Sequence, residues 1–135
     1  MKLTFVDSGV LIAATRGDLR VSSAALQILD DRSRTFASSD FVRLETIPKA
    51  TFYQRTDERQ FLEGFFSTVS TWAVIDDDLI RLALNEAIRV GLAAIDALHV
   101  AAAYKTGCDE LVTTETERKA LHCTSLVRVV SIRGR

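Results

Sequence analysis

Leu3–Val6 is a short, mostly apolar run that stops abruptly at Asp7. A run of this length with no alternating polar face suits a strand buried on both sides. Comparable runs recur at Thr35–Ser38, Trp72–Ile75, Glu110–Thr114 and Arg128–Ile132, and most of the chain between them has the spacing of amphipathic helices. This alternation constrains the fold more than any other feature, because strands buried on both faces need helices to cover them. The expectation is an α/β chain: a three-layer sandwich with a central, mainly parallel sheet of four to five strands flanked by helices. At 135 residues, positions 1–135 suit one domain. In such sheets ligands bind beyond the carboxyl ends of the strands.

The intervening segments carry recognisable boundaries. Val10–Thr15 follows Ser8-Gly9 as a short helix, and Ser22-Ser23 is expected to cap a second helix through Leu29. Ser39-Asp40 begins a helix that Pro48 is expected to kink, and Asp57 begins another bearing Phe61, Phe65 and Phe66. That aromatic stripe is the place to look for surplus apolar surface. Asp76-Asp77-Asp78 reads as a capped helix start rather than a metal cluster. An Ala-rich helix from Ala93 to Thr106 stops at Gly107, and a short helix is expected over Glu115–Leu121.

Several classes fall away. No apolar stretch approaches the roughly 20 residues that cross a bilayer, and Met1–Phe5 enters a strand-like run without the layout of a signal peptide. Cys108 and Cys123 have no second pair to complete a zinc site and read as thiols of a reducing compartment, which implies a cytoplasmic protein with no membrane partner. Glycine-rich phosphate loops, GxSxG turns and HExxH helices are absent. With a net charge of −1 the chain is not an overall basic nucleic-acid binder, although 13 of its 17 cations are arginine, the side chain suited to bidentate phosphate contacts.

Four acids are badly placed for purely structural work. Asp7 ends the first strand, Glu45 lies between Leu44 and Ile47 on an apolar helix, Asp96 interrupts the apolar run from Gly91 to Ala103, and Glu115 follows the fourth strand. Strand ends and the helix starts after them share one edge of a parallel sheet, so all four can converge. Converging carboxylates raise one another's pKa, and a hard divalent cation such as Mg²⁺ relieves that repulsion. Such a site can activate a water and stabilise a phosphodiester under attack. Ser8 and Thr113 are candidate supports, as hydroxyls able to bond a carboxylate. His99, one turn after Asp96, reads first as a helix-packing side chain, and His122 has no partner spacing. Bland alternatives compete with these roles: Asp7 as a helix cap, Glu45 paired with Lys49, and Glu115 with Glu117 compensating a helix dipole.

Four segments in order, Phe5–Ile12, Ser38–Lys49, Ala94–Ala101 and Leu111–Glu115, resemble the PIN-domain family, and within it the VapC-type toxin ribonucleases of bacterial toxin–antitoxin pairs. The resemblance runs from Leu3 to about Val130. It implies a PIN-like parallel sheet, Mg²⁺ or Mn²⁺ held by Asp7, Glu45, Asp96 and Glu115 as catalytic acids, and endonucleolytic cleavage of RNA. It also implies a homodimer silenced by a small cognate antitoxin. Gly9 stands where the family often has Asn, and Glu115 where it usually has Asp. The second departure leaves open a PIN-like module that has lost catalysis and serves as a protein or RNA adaptor. Receiver domains and haloacid-dehalogenase-like phosphatases need acid pairs that Asp7-Ser8-Gly9 does not offer. If the four acids share one metal pocket, the rest of the chain is net positive. After Glu117 come Arg118, Lys119, Arg128, Arg133 and Arg135 and no acid, so an arginine-biased surface for phosphate is expected around the cleft.

Overall fold

The computed structural model describes residues 1–135. Five strands, β1 (Lys2–Val6), β2 (Arg34–Ser38), β3 (Thr71–Trp72), β4 (Glu110–Thr113) and β5 (Arg128–Ser131), form one sheet in the order β3-β2-β1-β4-β5. Every neighbouring pair is parallel. Parallel neighbours need long crossovers. Helix pairs supply the first three: α1 (Ser8–Arg16) with α2 (Leu19–Leu29), α3 (Asp40–Phe52) with α4 (Thr56–Thr68), and α5 (Asp77–Val90) with α6 (Ala94–Lys105). A 3₁₀ turn, Ala120–Cys123, lies between β4 and β5. No helix is long and apolar enough to cross a membrane.

The chain builds outward from β1 through β2 to β3, then returns to the other side of β1 with β4. That reversal makes β1 and β4 the central pair, with Phe5, Val6, Leu111 and Val112 fully buried. In register, Phe5 lies beside Leu111 and Val6 beside Val112, and the Asp7 N–H continues the ladder to the Val112 carbonyl at 2.9 Å. Beyond this point the two segments part into different crossovers, which opens a crevice at the carboxyl edge. α6 buries Ala97, Val100, Ala101, Ala102 and Ala103, small side chains that let a helix lie close to its neighbours on several sides.

At the opposite, amino edge of the sheet, Glu110 is buried but fully partnered. Its Oε2 accepts from Thr4 Oγ1 at 2.6 Å and Arg34 Nε at 2.7 Å, with Lys2 Nζ 3.6 Å from Oε1. Burial works against the carboxylate, yet the Arg34 and Thr4 hydrogen bonds and the Arg34 and Lys2 charges together hold its pKa below the ordinary value.

Element boundaries differ from the expectations in physically legible ways. α2 begins at Leu19, three residues before Ser22, because the Asp18 side chain accepts from the Val21 N–H at 3.0 Å. The strand expected over Trp72–Ile75 is only Thr71–Trp72, since β3 pairs with no more than the last two residues of β2, and Val74 and Ile75 are exposed. α4 starts at Thr56, and α3 continues through Pro48 to Phe52. The helix expected at Glu115–Leu121 is instead a turn leading into the 3₁₀ segment, with the Glu117 N–H bonded to the Gly134 carbonyl. Asp76 does cap α5, accepting from the Leu79 N–H at 2.9 Å, and Gly107 does sit in the left-handed region after α6.

Candidate metal centre

Asp7 is the first residue past β1, with extended backbone, and its side chain makes no cap hydrogen bond to α1. The carboxylate turns toward β4 instead, where Thr113 Oγ1 donates to Asp7 Oδ2 at 2.8 Å. The same hydroxyl accepts from the Glu115 N–H at 3.1 Å, so its single proton is committed to Asp7. Ser8, in the first turn of α1, donates to Glu45 Oε1 at 2.5 Å across the crevice to α3. His99 Nε2 lies 2.7 Å from the same oxygen and 3.7 Å from Asp7 Oδ1. One ligand atom each from Asp7, Glu45 and His99 therefore fit within 4.8 Å of one another. Glu45 is not paired with Lys49: its contacts run to α1 and α6.

Electrostatics extend the cluster to the remaining two acids. Asp96, in the first turn of α6, has its pKa raised, first by burial and then by the charges of Asp7, Glu115 and Glu45, with only His99 opposing. Asp7, Glu45 and Glu115 therefore all act on Asp96, although only Asp7 and Glu45 fall in the tighter group with His99. Glu45 shifts the other way: the His99 and Ser8 hydrogen bonds and the charge of Lys49 lower its pKa against the cost of burial. No lysine or arginine pairs with Asp7, Asp96 or Glu115, in contrast to Glu110 at the far edge. An oxygen-rich donor set with unrelieved like-charge repulsion fits a hard divalent cation.

Neighbouring residues complete the picture. A Cβ at Gly9 would lie 2.5 Å from Thr114 Oγ1, so the threonine hydroxyl fills the space that a side chain at position 9 would claim. His122 Nε2 lies 3.0 Å from the Glu115 carbonyl oxygen and braces the loop after β4. Asp76–Asp78 begin α5 and are not part of this group, and the two cysteines are unpaired, with burial pushing the Cys108 thiol up to about 11. Of the cations expected around the cleft, Arg118 and Lys119 follow Glu115, and Arg133 and Arg135 follow the carboxyl end of β5. Arg128 is a correction: it opens β5 in register with Glu110, at the amino edge. His99 is the residue that sequence reasoning undervalued. Its spacing from Asp96 puts both on one helix face, the one signal available.

The sequence matches the PIN-domain family model over residues 4–121. No curated protein matches it. Among solved structures, the chain is similar to a toxin–antitoxin complex from Klebsiella pneumoniae, with a TM-score of 0.76 at 21% identity over 98% of this chain and 99% of that one. It is also similar to VapBC2 from Rickettsia felis bound to a DNA fragment from its promoter (TM-score 0.69, 12% identity, 96% and 98% covered). FitAcB from Neisseria gonorrhoeae gives a TM-score of 0.65 at 15% identity, with 96% and 97% covered. At these identities the likeness is one of fold.

The raised pKa of Asp96 has a thermodynamic consequence. The folded state holds that proton more tightly than the unfolded state, so the associated stability is present below the unfolded pKa and lost as pH rises through the folded value. In chelator at neutral pH, Asp96→Asn is expected to be more stable than the parent, by an amount that solvent screening of this half-exposed carboxylate keeps small. The gap should close as pH falls toward the ordinary aspartate value of about 4. Urea unfolding at the two pH values measures both, and a variant less stable than the parent at neutral pH would contradict the electrostatic picture.

Proposed function

The chain belongs to the PIN-domain family, and from that premise we propose that it is a metal-dependent endoribonuclease that hydrolyses RNA phosphodiester bonds as the toxin of a toxin–antitoxin pair. The observation that carries this reading is the approach of Asp7, Glu45 and His99 to within 4.8 Å of one another, with no lysine or arginine paired to either acid and with the charges of Asp7 and Glu45 felt at Asp96. Asp7, Glu45 and Asp96 would hold Mg²⁺ or Mn²⁺, with Glu115 as a further support. When bound, such a cation supplies positive charge to an attacking water and to the negative charge developing on the phosphodiester.

The chain's own groups orient those carboxylates. Thr113 holds Asp7 Oδ2, and Ser8 and His99 hold Glu45 Oε1, so the second oxygen of each carboxylate accepts no protein hydrogen bond. Arg118, Lys119, Arg133 and Arg135, on the segments after β4 and β5, would contact RNA phosphates and supply most of the affinity without reading sequence. A small antitoxin is the proposed protein partner, supported by fold neighbours solved as toxin–antitoxin complexes.

A second copy of the chain is the other proposed partner, and α5 supports it. Its inner face is buried through Leu79, Ala83 and Glu86, yet Ile80, Leu84 and Ile88 are 46%, 58% and 75% exposed and continue an apolar groove with Ala94 and Leu98 of α6. The Phe61–Phe66 stripe is not the surplus surface: Phe65 is buried and its two neighbours are half-buried. Laid antiparallel on its own copy about Leu84, α5 brings Ile80 against the partner's Ile88, so the apolar stripe is self-complementary, as a twofold interface requires.

RNA cleavage assayed with and without chelator tests the activity. Cleavage is expected with Mg²⁺ or Mn²⁺, and chelator or Asp96→Asn should abolish it while circular dichroism stays unchanged. Undiminished cleavage by that variant would sink the assignment, and a protein with neither Mn²⁺ binding nor chelator-sensitive cleavage would fit an adaptor. Sedimentation equilibrium should give twice the 14.9 kDa chain mass, and the chain mass itself for Leu84→Asp. A monomeric parent protein would contradict the proposed interface.

A further inference from the structure

His99 is 2% exposed and stands between two carboxylates. Taken by distance alone, Asp7, Glu45 and His99 form a mixed oxygen–nitrogen metal site. The rest of the ring argues otherwise. His99 Nδ1 is buried and has no hydrogen-bond partner. A histidine that ligates through Nε2 carries its proton on Nδ1, and ligating histidines almost always give that proton to a carbonyl, a carboxylate or water. Here the proton would be a buried, unmatched donor, which is costly. With the proton on Nε2 the ring leaves only a lone pair unmatched at Nδ1, and Nε2 then faces an oxygen that can only accept. Glu45 Oε1 is that oxygen, at 2.7 Å.

We propose that His99 is a positioning residue of the metal centre, donating through Nε2 to Glu45 Oε1, and not one of its ligands. The inference rests on the metal-dependent reading of the site given above. Its physical content is the immobilisation of a side chain that would otherwise be free. Glu45 stands on α3 with its side chain 33% exposed, and its several rotors would sample many positions. His99 cannot follow it, because its ring is enclosed and packs against Phe5 of β1, with ring centroids 5.8 Å apart. Ser8 approaches the same Oε1 at 2.5 Å from α1. Two donors from two different helices thus converge on one oxygen of Glu45 and leave Oε2 unengaged. Because His99 and Asp96 share one face of α6, a single helix both contributes a carboxylate and aims a second one. The centre that results is all-oxygen, the donor set that hard cations prefer.

Mn²⁺ binding to the full chain, followed by electron paramagnetic resonance, tests this through His99→Leu and His99→Gln. Leucine keeps an apolar filling but offers no donor, whereas the glutamine amide carries an N–H at a reach comparable to Nε2. His99→Leu is expected to weaken Mn²⁺ binding roughly 10- to 100-fold, the usual effect of removing a group that orients a ligand. His99→Gln should recover most of that loss. Electron spin-echo modulation of the Mn²⁺-loaded parent protein should show no directly coordinated ¹⁴N. A coordinated nitrogen would overturn the proposal in favour of ligation. Unchanged affinity in His99→Leu, or a glutamine variant as weak as leucine, would reduce His99 to packing. The nitrogen measurement needs no variant, so it decides ligation even if leucine at this buried position prevents folding, and the glutamine variant then tests the positioning. A parent protein that binds no Mn²⁺ would overturn the metal reading itself, and this inference with it.

Discussion

Adjacent parallel strands that continue into different crossovers leave a gap that side chains must fill, and the pairing of β1 with β4 creates that gap here. Phe5 and Val6 beside Leu111 and Val112 form the fully buried centre of the sheet. The chain beyond each strand cannot keep that packing, because Asp7 turns into α1 while Thr113 leads into an irregular loop. The Thr113 hydroxyl bonded to the Asp7 carboxylate is the last hydrogen bond between the two segments. Two further contacts of the edge start from it: Ser8 follows Asp7 and reaches Glu45, while the Glu115 N–H returns to Thr113. The geometry of the acids is therefore a consequence of strand order.

The two edges of the same sheet resolve buried charge in opposite ways. At the amino edge Glu110 is surrounded by Arg34, Thr4 and Lys2, and its pKa falls. At the carboxyl edge Asp96 meets burial and three other acids, and its pKa rises. Burying an ion is tolerable when partners replace the lost water, and costly when the neighbours carry the same sign. The first arrangement serves folding. The second makes the metal-free protein less stable than its core would allow, a pattern expected where a site is built for a ligand rather than for the fold.

Much of this is legible in the sequence, and the parts that are not share a cause. Asp7 stands out because an apolar strand ends on an acid, and Asp96 because it interrupts an alanine-rich helix; both signals are local. The parallel sheet follows from the alternation of short apolar runs with helical spacing. What escaped was set by distant neighbours. Val74 and Ile75 look like strand residues, but β2 ends at Ser38 and offers them nothing to pair with. Residues Glu115–Lys119 have helical spacing, yet the Glu117 N–H is taken by Gly134 at the far end of the chain. His99 reads as packing because its partner, Glu45, lies 54 positions away. The exposed stripe on α5 has ordinary amphipathic spacing, and only the burial of Leu79 and Ala83 shows that Ile80, Leu84 and Ile88 face outward.

The central claim is that the acids at the crevice between β1 and β4 form one metal centre. Anomalous diffraction from crystals grown with Mn²⁺ and recorded above the manganese edge tests it most directly. A Mn²⁺ peak within bonding distance of Asp7, Glu45 and Asp96 is predicted. Crystals that bind Mn²⁺ elsewhere on the chain, with no peak among these three carboxylates, would contradict the account.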